Sequence, residues 1–169
     1  GHTLESSCYL LRDEDGKPHA LFTGDTLFVG DVGRPDLSSG NMSSEELAVI
    51  MYDTIQHKIL TLPDDVLVYP AHGAGSSCGK NLGPQTFSTI GEQKKTNYAL
   101  QPQTKEEFVA AVTEGLSAAP TYFAINARIN MQGYESLDSV KQKGLTALSI
   151  EEFKKHMAQD VLVLDTRPA

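Results

Sequence analysis

Three residues with metal-binding side chains, His2, Asp25 and His72, each stand beside a glycine where the pattern predicts the end of a strand. Glycine lets backbone segments approach closely, and strand ends project side chains into a shared crevice. Imidazole and carboxylate ligands together suit Zn, Fe or Mn. The three residues therefore predict a metal site. The alternative for each of them singly is an ordinary hydrogen-bonded turn.

Composition excludes several other classes of function. The 169 residues carry a formal net charge of −8 and no long run of lysine or arginine, which argues against nucleic acid and anionic membranes as partners. The longest apolar stretches are far shorter than the ~20 residues that span a bilayer. Two cysteines make no disulfide framework, so we expect a cytoplasmic protein.

An α/β layered architecture is predicted to position the three residues. Ser43 and Glu46 form a capping box in front of a helical apolar period, and a long ordered loop is expected over 26–44. The pattern predicts a hairpin of strands at 8–11 and 19–23, further strands at 66–69 and 160–165, and helices at 44–60, 84–96 and 105–116. Ser149 and Glu152 predict the cap of a further short helix.

The order of the motifs resembles the C-terminal half of the metallo-β-lactamase superfamily. The Gly-Arg-x-Asp and Ala-His-Gly-Ala-Gly-Ser elements are most similar to persulfide dioxygenases, the mononuclear iron enzymes related to glyoxalase II. The implied fold is an αββα sandwich. The matching motifs are Gly1-His2-Thr3, Phe22-Thr23-Gly24-Asp25-Thr26-Leu27-Phe28, Gly33-Arg34-Pro35-Asp36, Leu62-Pro63-Asp64-Asp65 and Tyr69-Pro70-Ala71-His72-Gly73.

The resemblance also implies roles for these residues. His2 and Asp25 match metal ligands, and His72 matches the ligand of a second metal in dinuclear relatives or a residue beside the metal in mononuclear ones. Fe(II) is the expected ion and zinc the alternative. The expected reaction is oxidation of a thiol persulfide, such as glutathione persulfide, by O₂ to sulfite and thiol, in sulfide detoxification. The family's His-x-His-x-Asp-His motif is absent from the sequence, so one histidine ligand must come from elsewhere and the chain alone is expected to be inactive.

Two cations and one thiol are further candidates for this site. The planar fork of Arg34 suits a substrate carboxylate, and the alternative is an Arg34–Asp36 pair on the surface that holds the loop. Lys80 could bind another anionic group of the substrate or simply be solvated. Cys78 is a candidate reactive thiol, and a buried inert cysteine is its alternative.

We predict three segments: residues 1–125 as the C-terminal part of the metallo-β-lactamase-fold domain, 126–143 as a linker, and 144–169 as the start of a rhodanese-like unit. The last rests on the resemblance of residues 162–167 to the first strand of a rhodanese. Half of a sandwich would expose apolar sheet, so the missing N-terminal half or a second copy is the expected partner. Two alternatives stay open: a glyoxalase II-like dinuclear hydrolase of a thioester, and a non-catalytic fragment.

Overall fold

Four strands form the main sheet of the computed structural model, which describes residues 2–37, 41–80, 82–159 and 161–167. Their order is β1-β2-β5-β6, with β2 and β5 parallel and the other two pairs antiparallel. A separate two-stranded hairpin is formed by β3 and β4. The strands are β1 (Tyr9–Arg12), β2 (Pro18–Gly24), β3 (Leu27–Phe28), β4 (Asp31–Val32), β5 (Leu67–Pro70) and β6 (Ser88–Thr89).

The turn between β1 and β2 follows from its local chemistry. The Asp13 carboxylate accepts hydrogen bonds from the backbone N–H groups of Asp15 and Lys17. Gly16 adopts φ +77, which glycine reaches without a steric penalty. The predicted hairpin is confirmed.

Helix α1 (Ser44–Thr54) lies in the chain between β2 and β5, and a π-helical turn (Ile55–Ile59) extends it. Ser43 and Glu46 form the predicted capping box, in which each side chain accepts a backbone hydrogen bond. The predicted apolar face is buried at Leu47, Met51, Ile55 and Ile59. The predicted loop 26–44 contains β3 and β4, and its residues 38–40 lie outside the described ranges.

The two faces of the main sheet differ in burial. Leu21 and Val68 are register partners on β2 and β5, and both belong to the hydrophobic core. The next pair, Phe22 and Tyr69, stack with ring centroids 5.5 Å apart on the other face, where Phe22 is 46% exposed. The sheet therefore packs on one face and presents aromatic rings on the other.

Three helical elements follow β6: α2 (Ile90–Thr96), a 3₁₀ turn (Tyr98–Leu100) and α3 (Lys105–Thr113). The prediction of a helix over 84–96 was wrong in its first half. Residues Ser88–Thr89 pair with β5 instead, and the Thr89 hydroxyl caps α2 by accepting from the Glu92 N–H. Helix α3 confirms the prediction over 105–116 except for its last turn.

Most of α4 (Phe123–Gln132) and of α5 (Leu137–Gly144) lies in the segment predicted as a linker, 126–143. Gly133 ends α4: it adopts φ +86 and its N–H donates to the carbonyl of Ile129. The chain divides into two compact units, Gly1–Arg128 and Ile129–Ala169. The predicted domain boundaries themselves stay a prediction.

The second unit also contains α6 (Ile150–Met157), which the predicted cap of Ser149 and Glu152 begins. The strand predicted over 160–165 is not observed at residues 161–165, and Asp160 lies outside the described residues. A strand needs a hydrogen-bonded neighbour, and the described residues of this unit form helices and irregular segments. Within the described ranges, no helix is long and apolar enough to cross a bilayer.

We predict that Phe108→Ala lowers the free energy of unfolding by about 3–5 kcal/mol. Phe108 is fully buried on α3 and meets the ring of Tyr52 edge-on at 5.4 Å, so truncation leaves a cavity. Urea unfolding followed by circular dichroism measures the loss. The control is Phe87→Ala, because Phe87 is 55% exposed, and we expect it to cost about 1 kcal/mol or less. Equal losses in the two variants would contradict the packing described above.

Candidate metal centre

Parallel pairing of β2 with β5 brings Asp25 and His72 together. Asp25 directly follows β2 and His72 lies two residues after β5, so both leave the same edge of the sheet. Gly24 and Pro70 are register partners, and the Ala71 N–H donates to the Gly24 carbonyl at 3.1 Å. As a result, Oδ1 of Asp25 lies 2.8 Å from Nδ1 of His72.

His2 completes the predicted group from the other side of Asp25. Its Nε2 lies 3.6 Å from Oδ2 of Asp25, and its Nδ1–H donates to the carbonyl of Arg34 at 2.6 Å. A carbonyl only accepts, so this hydrogen bond fixes the tautomer and leaves the lone pair of Nε2 facing the carboxylate. Burial lowers the pKa of His2, against the attraction of Asp25, which favours the neutral ring that a metal needs.

Asp25 has a buried carboxylate oxygen that no hydrogen bond satisfies. Its Oδ1 is buried and makes no hydrogen bond, although Nδ1 of His72 lies 2.8 Å away. An unpaired buried carboxylate oxygen is costly, and a cation between the two atoms would remove that cost. Asp25 therefore lies between the two predicted histidine ligands, with His2 near Oδ2 and His72 near Oδ1, and its donors fit a metal ion.

Cys78 joins this group. The ligand atoms of Asp25, His72 and Cys78 all lie within 4.8 Å of one another, a cluster that the structure shows among its described residues. The Cys78 N–H donates to the Ser76 hydroxyl. Burial raises the pKa of the Cys78 thiol, and Asp25 raises it further, so without an ion the contacts favour a protonated, poorly nucleophilic thiol. Its role as a reactive thiol stays a prediction.

Arg34 is buried, and protein acceptors occupy its guanidinium. Nε and Nη2 donate to the two oxygens of Asp36 at 3.0 and 2.7 Å, while Nη1 and Nη2 donate to the hydroxyl and carbonyl of Ser117. These contacts favour the loop-holding alternative over a substrate-binding role, with one difference from that expectation. The guanidinium lies in the protein interior, 3% exposed, and not on the surface.

Lys80 lines the same cavity as Arg34, with a volume of 160 Å³. Its Nζ donates to the carbonyls of Ala111 and Glu114 at the C-terminal end of α3. A lysine there satisfies carbonyls that have no partner within the helix. The contacts of Lys80 are therefore structural, and its predicted role with substrate stays a prediction.

Asp31, which no sequence motif marked as functional, holds the loop that carries Cys78. One oxygen of this buried carboxylate accepts from the Val32 N–H and the Tyr98 hydroxyl, and the other accepts from the Lys80 N–H. The sequence signal for this role was an aspartate in a Gly-rich loop. The signal was not sufficient, because Lys80 and Tyr98, which donate to Asp31, lie far away in the sequence. Three further histidines lie outside the cluster and stay unassigned: His19, His57 and His156.

Known proteins of similar structure share this fold. A metallo-β-lactamase from Staphylococcus aureus superposes with a TM-score of 0.71 and 40% identity, covering 80% of this chain and 39% of that chain. ETHE1 from Myxococcus xanthus gives a TM-score of 0.59 and 30% identity, covering 77% of this chain and 49% of that one. The predicted α/β fold class is confirmed.

Sequence relatives include two kinds of enzyme. Human mitochondrial persulfide dioxygenase ETHE1 is 34% identical over 110 residues, which is 64% of this chain and 35% of that protein. A hydroxyacylglutathione hydrolase of Dictyostelium discoideum is 41% identical over 132 residues, 76% of this chain and 43% of that protein. No protein-family model matches the chain. The chain spans less than half the length of each of these relatives and structures.

We predict that Gly33→Ala weakens binding of a divalent metal ion, Fe(II) or Zn²⁺, at least about tenfold, as expected when the groups that orient a ligand are disturbed. A Cβ at this position would lie 1.9 Å from the Asp25 carbonyl oxygen and 2.8 Å from Nδ1 of His2, so both ligands must shift. Anaerobic titration calorimetry measures the affinity. Gly144→Ala is the control, because a Cβ there meets nothing within 4 Å. Unchanged binding in Gly33→Ala would contradict the geometry of the site.

We predict that Arg34→Lys lowers the free energy of unfolding by about 3 kcal/mol, because lysine cannot replace the buried fork that pairs with Asp36 and binds Ser117. Chemical unfolding measures the loss, with Arg12→Lys as the control. Arg12 is exposed and makes one hydrogen bond through its guanidinium, to the Gly16 carbonyl, so its variant should stay within about 0.5 kcal/mol of the parent. Full stability in Arg34→Lys would favour the substrate-binding role instead.

Proposed function

This chain has the fold of metallo-β-lactamase structures and has homologues among the persulfide dioxygenases of that superfamily, and we propose that it is part of such a dioxygenase. The observation that carries the proposal is the carboxylate of Asp25 between two histidines, with an unpaired buried oxygen. The Gly33-Arg34-Pro35-Asp36 element adds sequence support.

The ion that we propose is Fe(II), held by His2, Asp25 and one histidine from outside this chain. When bound, it would supply the redox chemistry by which O₂ oxidises the outer sulfur of a thiol persulfide to sulfite, with release of the thiol. Zinc is the alternative ion.

The chain's own residues prepare this site. The carbonyl of Arg34 holds the His2 ring in the tautomer that presents Nε2, and burial lowers the pKa of His2, which favours the neutral ring. Asp25 presents one oxygen toward His2 and the other toward His72. We propose a low-molecular-weight thiol persulfide as the substrate, with glutathione persulfide as the first to test.

A second candidate function is dinuclear hydrolysis of a glutathione thioester. The geometry of Asp25 supports it, because a carboxylate that reaches histidines on both sides could bridge two ions that activate water. The hydroxyacylglutathione hydrolase relative supports it too. The Gly-Arg-Pro-Asp element and the persulfide dioxygenase relatives favour the first candidate.

The aromatic face of the main sheet supports a proposal about partners. Tyr9 is 72% exposed and Phe22 46% exposed, and Phe87 extends the stack of Phe22 and Tyr69 at a ring distance of 6.0 Å from Tyr69. Adjacent exposed aromatic rings are typical of a covered surface. We propose that the N-terminal half of the domain covers this face in the parent protein, with a second copy of the chain as the alternative.

Two further parts of the prediction stay proposals. A rhodanese-like unit after the metal-binding unit has only the sequence of residues 162–167 in its support, since residues 161–167 form no strand. The cytoplasmic location has the composition in its support.

We predict that the parent polypeptide containing this sequence, loaded anaerobically with Fe(II), consumes O₂ and forms sulfite from glutathione persulfide. The 169-residue chain alone should bind iron and form no sulfite, because it lacks one ligand. An oxygen electrode and a sulfite assay measure turnover, and thiol release from a glutathione thioester is measured in parallel. Thioester hydrolysis without O₂ uptake would overturn the proposal in favour of the hydrolase.

Two variants of the parent test the role of Asp25. Asp25→Asn keeps the shape of the side chain and removes its charge, so sulfite formation should fall at least about 100-fold, since even groups that only orient a ligand contribute 10- to 100-fold. Asp15→Asn changes an aspartate in the exposed turn between β1 and β2 and should leave the rate unchanged. Equal rates in the two variants would exclude Asp25 from the site.

A further inference from the structure

We infer that Asp31 and Tyr98 are positioning residues that fix the orientation of His2, a ligand of the proposed metal site. Asp31 begins β4, and Tyr98 begins the 3₁₀ turn after α2. The inference rests on the metal site of the proposed function and deepens it, because it names the groups that hold one of the ligands in place. It applies to a dioxygenase and to a hydrolase alike.

Asp31 has a buried carboxylate that joins three segments of the chain. Its Oδ1 accepts from the Val32 N–H at 2.8 Å and from the Tyr98 hydroxyl at 3.0 Å. Its Oδ2 accepts from the Lys80 N–H at 2.7 Å. A buried carboxylate keeps one position when its oxygens accept such hydrogen bonds, because any other position would leave them unsatisfied.

Tyr98 is a permanent donor to this carboxylate. Partial burial raises the pKa of the Tyr98 hydroxyl, and the nearby Asp31 carboxylate raises it further, so the phenol keeps its proton. The preceding residue, Asn97, donates from its side-chain amide to the Asp31 carbonyl at 3.0 Å. The start of the 3₁₀ turn therefore holds Asp31 by its backbone and by its side chain.

Hydrogen bonds lead from Asp31 to His2. The Lys80 N–H that donates to Asp31 lies two residues after Cys78 in the chain. The Cys78 carbonyl accepts from the Arg34 N–H at 2.8 Å, and the Arg34 carbonyl accepts from Nδ1–H of His2 at 2.6 Å. Arg34 follows Asp31 by three residues, so backbone and hydrogen bonds close a ring. This ring fixes the carbonyl that orients His2.

Two glycines show that the ring has little free space around it. A Cβ on Gly79 would lie 2.8 Å from the Leu82 side chain and 3.0 Å from Oδ2 of Asp31. A Cβ on Gly33 would lie 2.8 Å from Nδ1 of His2. Because close-packed segments transmit a displacement instead of absorbing it, a shift of Asp31 should reach the His2 ring.

The tautomer of His2 tests the inference in the metal-free 169-residue chain. Nuclear magnetic resonance of ¹⁵N-labelled histidine distinguishes a protonated ring nitrogen from a bare one, and His2→Gln identifies the His2 signals. At about pH 8, where histidine is neutral, the unaltered chain should show a protonated Nδ1 and a bare Nε2. Tyr98→Phe removes one oxygen atom and its hydrogen bond, so the His2 signals should move toward those of mixed tautomers.

Tyr52→Phe is the matched control for this measurement. The Tyr52 hydroxyl is also half-buried, but it donates to the Gln103 carbonyl and lies outside the ring of hydrogen bonds. Its loss should leave the His2 signals unchanged, whereas a general loosening of the fold would move them in both variants. Unchanged His2 signals in Tyr98→Phe, or equal changes in the two variants, overturn the inference.

Zinc titration calorimetry of the same chain tests whether the positioning serves a metal. Asp31→Asn replaces an acceptor by an NH₂ donor and Tyr98→Phe removes a donor, so each should weaken Zn²⁺ binding at least about tenfold. Asp15→Asn and Tyr52→Phe should keep the affinity of the unaltered chain. Full Zn²⁺ affinity in Tyr98→Phe, the milder change, overturns the inference. Absence of Zn²⁺ binding in the unaltered chain would instead overturn the proposed metal site, and the His2 signals would still decide the positioning.

Discussion

The parallel pairing of β2 with β5 is the constraint on which the candidate site depends. Because the two strands run in the same direction, their carboxyl ends reach one edge of the sheet, and Asp25 and His72 meet there at 2.8 Å. Antiparallel strands would send the two residues to opposite edges. The same pairing buries Leu21 beside Val68 in the hydrophobic core, so apolar packing stabilises the arrangement that brings these polar residues together.

Arg34 connects this edge of the sheet to the rest of the first unit. Its carbonyl orients His2, its N–H holds Cys78, and its guanidinium pairs with Asp36 and binds Ser117. A buried guanidinium needs such a complete set of acceptors, because an unpaired charge in the interior is costly. Arg34 was predicted from sequence to bind substrate, but its contacts lie within the protein. They fix the positions of His2 and Cys78.

The geometry of Asp25 is compatible with both of the functions proposed for this chain. One carboxylate oxygen faces His2 and the other faces His72, so a single residue can take part in one metal site or link two. A mononuclear oxidation and a dinuclear hydrolysis differ in the ions they need and not in this carboxylate. The sulfur of Cys78 also lies near this carboxylate, within the same 4.8 Å cluster as His72.

Sequence by itself determined the features that arise within a few residues. The capping box of Ser43 begins α1, the Asp13 turn closes the first hairpin, and polar residues beside glycine mark the ends of strands. It also grouped His2, Asp25 and His72 in one candidate site. It did not find β6, α4, α5 or the contacts of Asp31. Periodicity cannot show that the short segment Ser88–Thr89 pairs with β5. Nor can it show that Gly133 marks the end of a helix and does not lie in a loop.

Only the tertiary structure decided which distant side chains meet. His2 and Arg34 are 32 residues apart in sequence, and Arg34 and Ser117 are 83 apart, yet each pair is hydrogen-bonded. The burial of Arg34, the link from Lys80 to α3 and the approach of Cys78 to Asp25 all depend on such contacts. The physical reason is range: capping, turns and periodicity act over about one or two turns of chain, whereas a site is assembled by packing between elements.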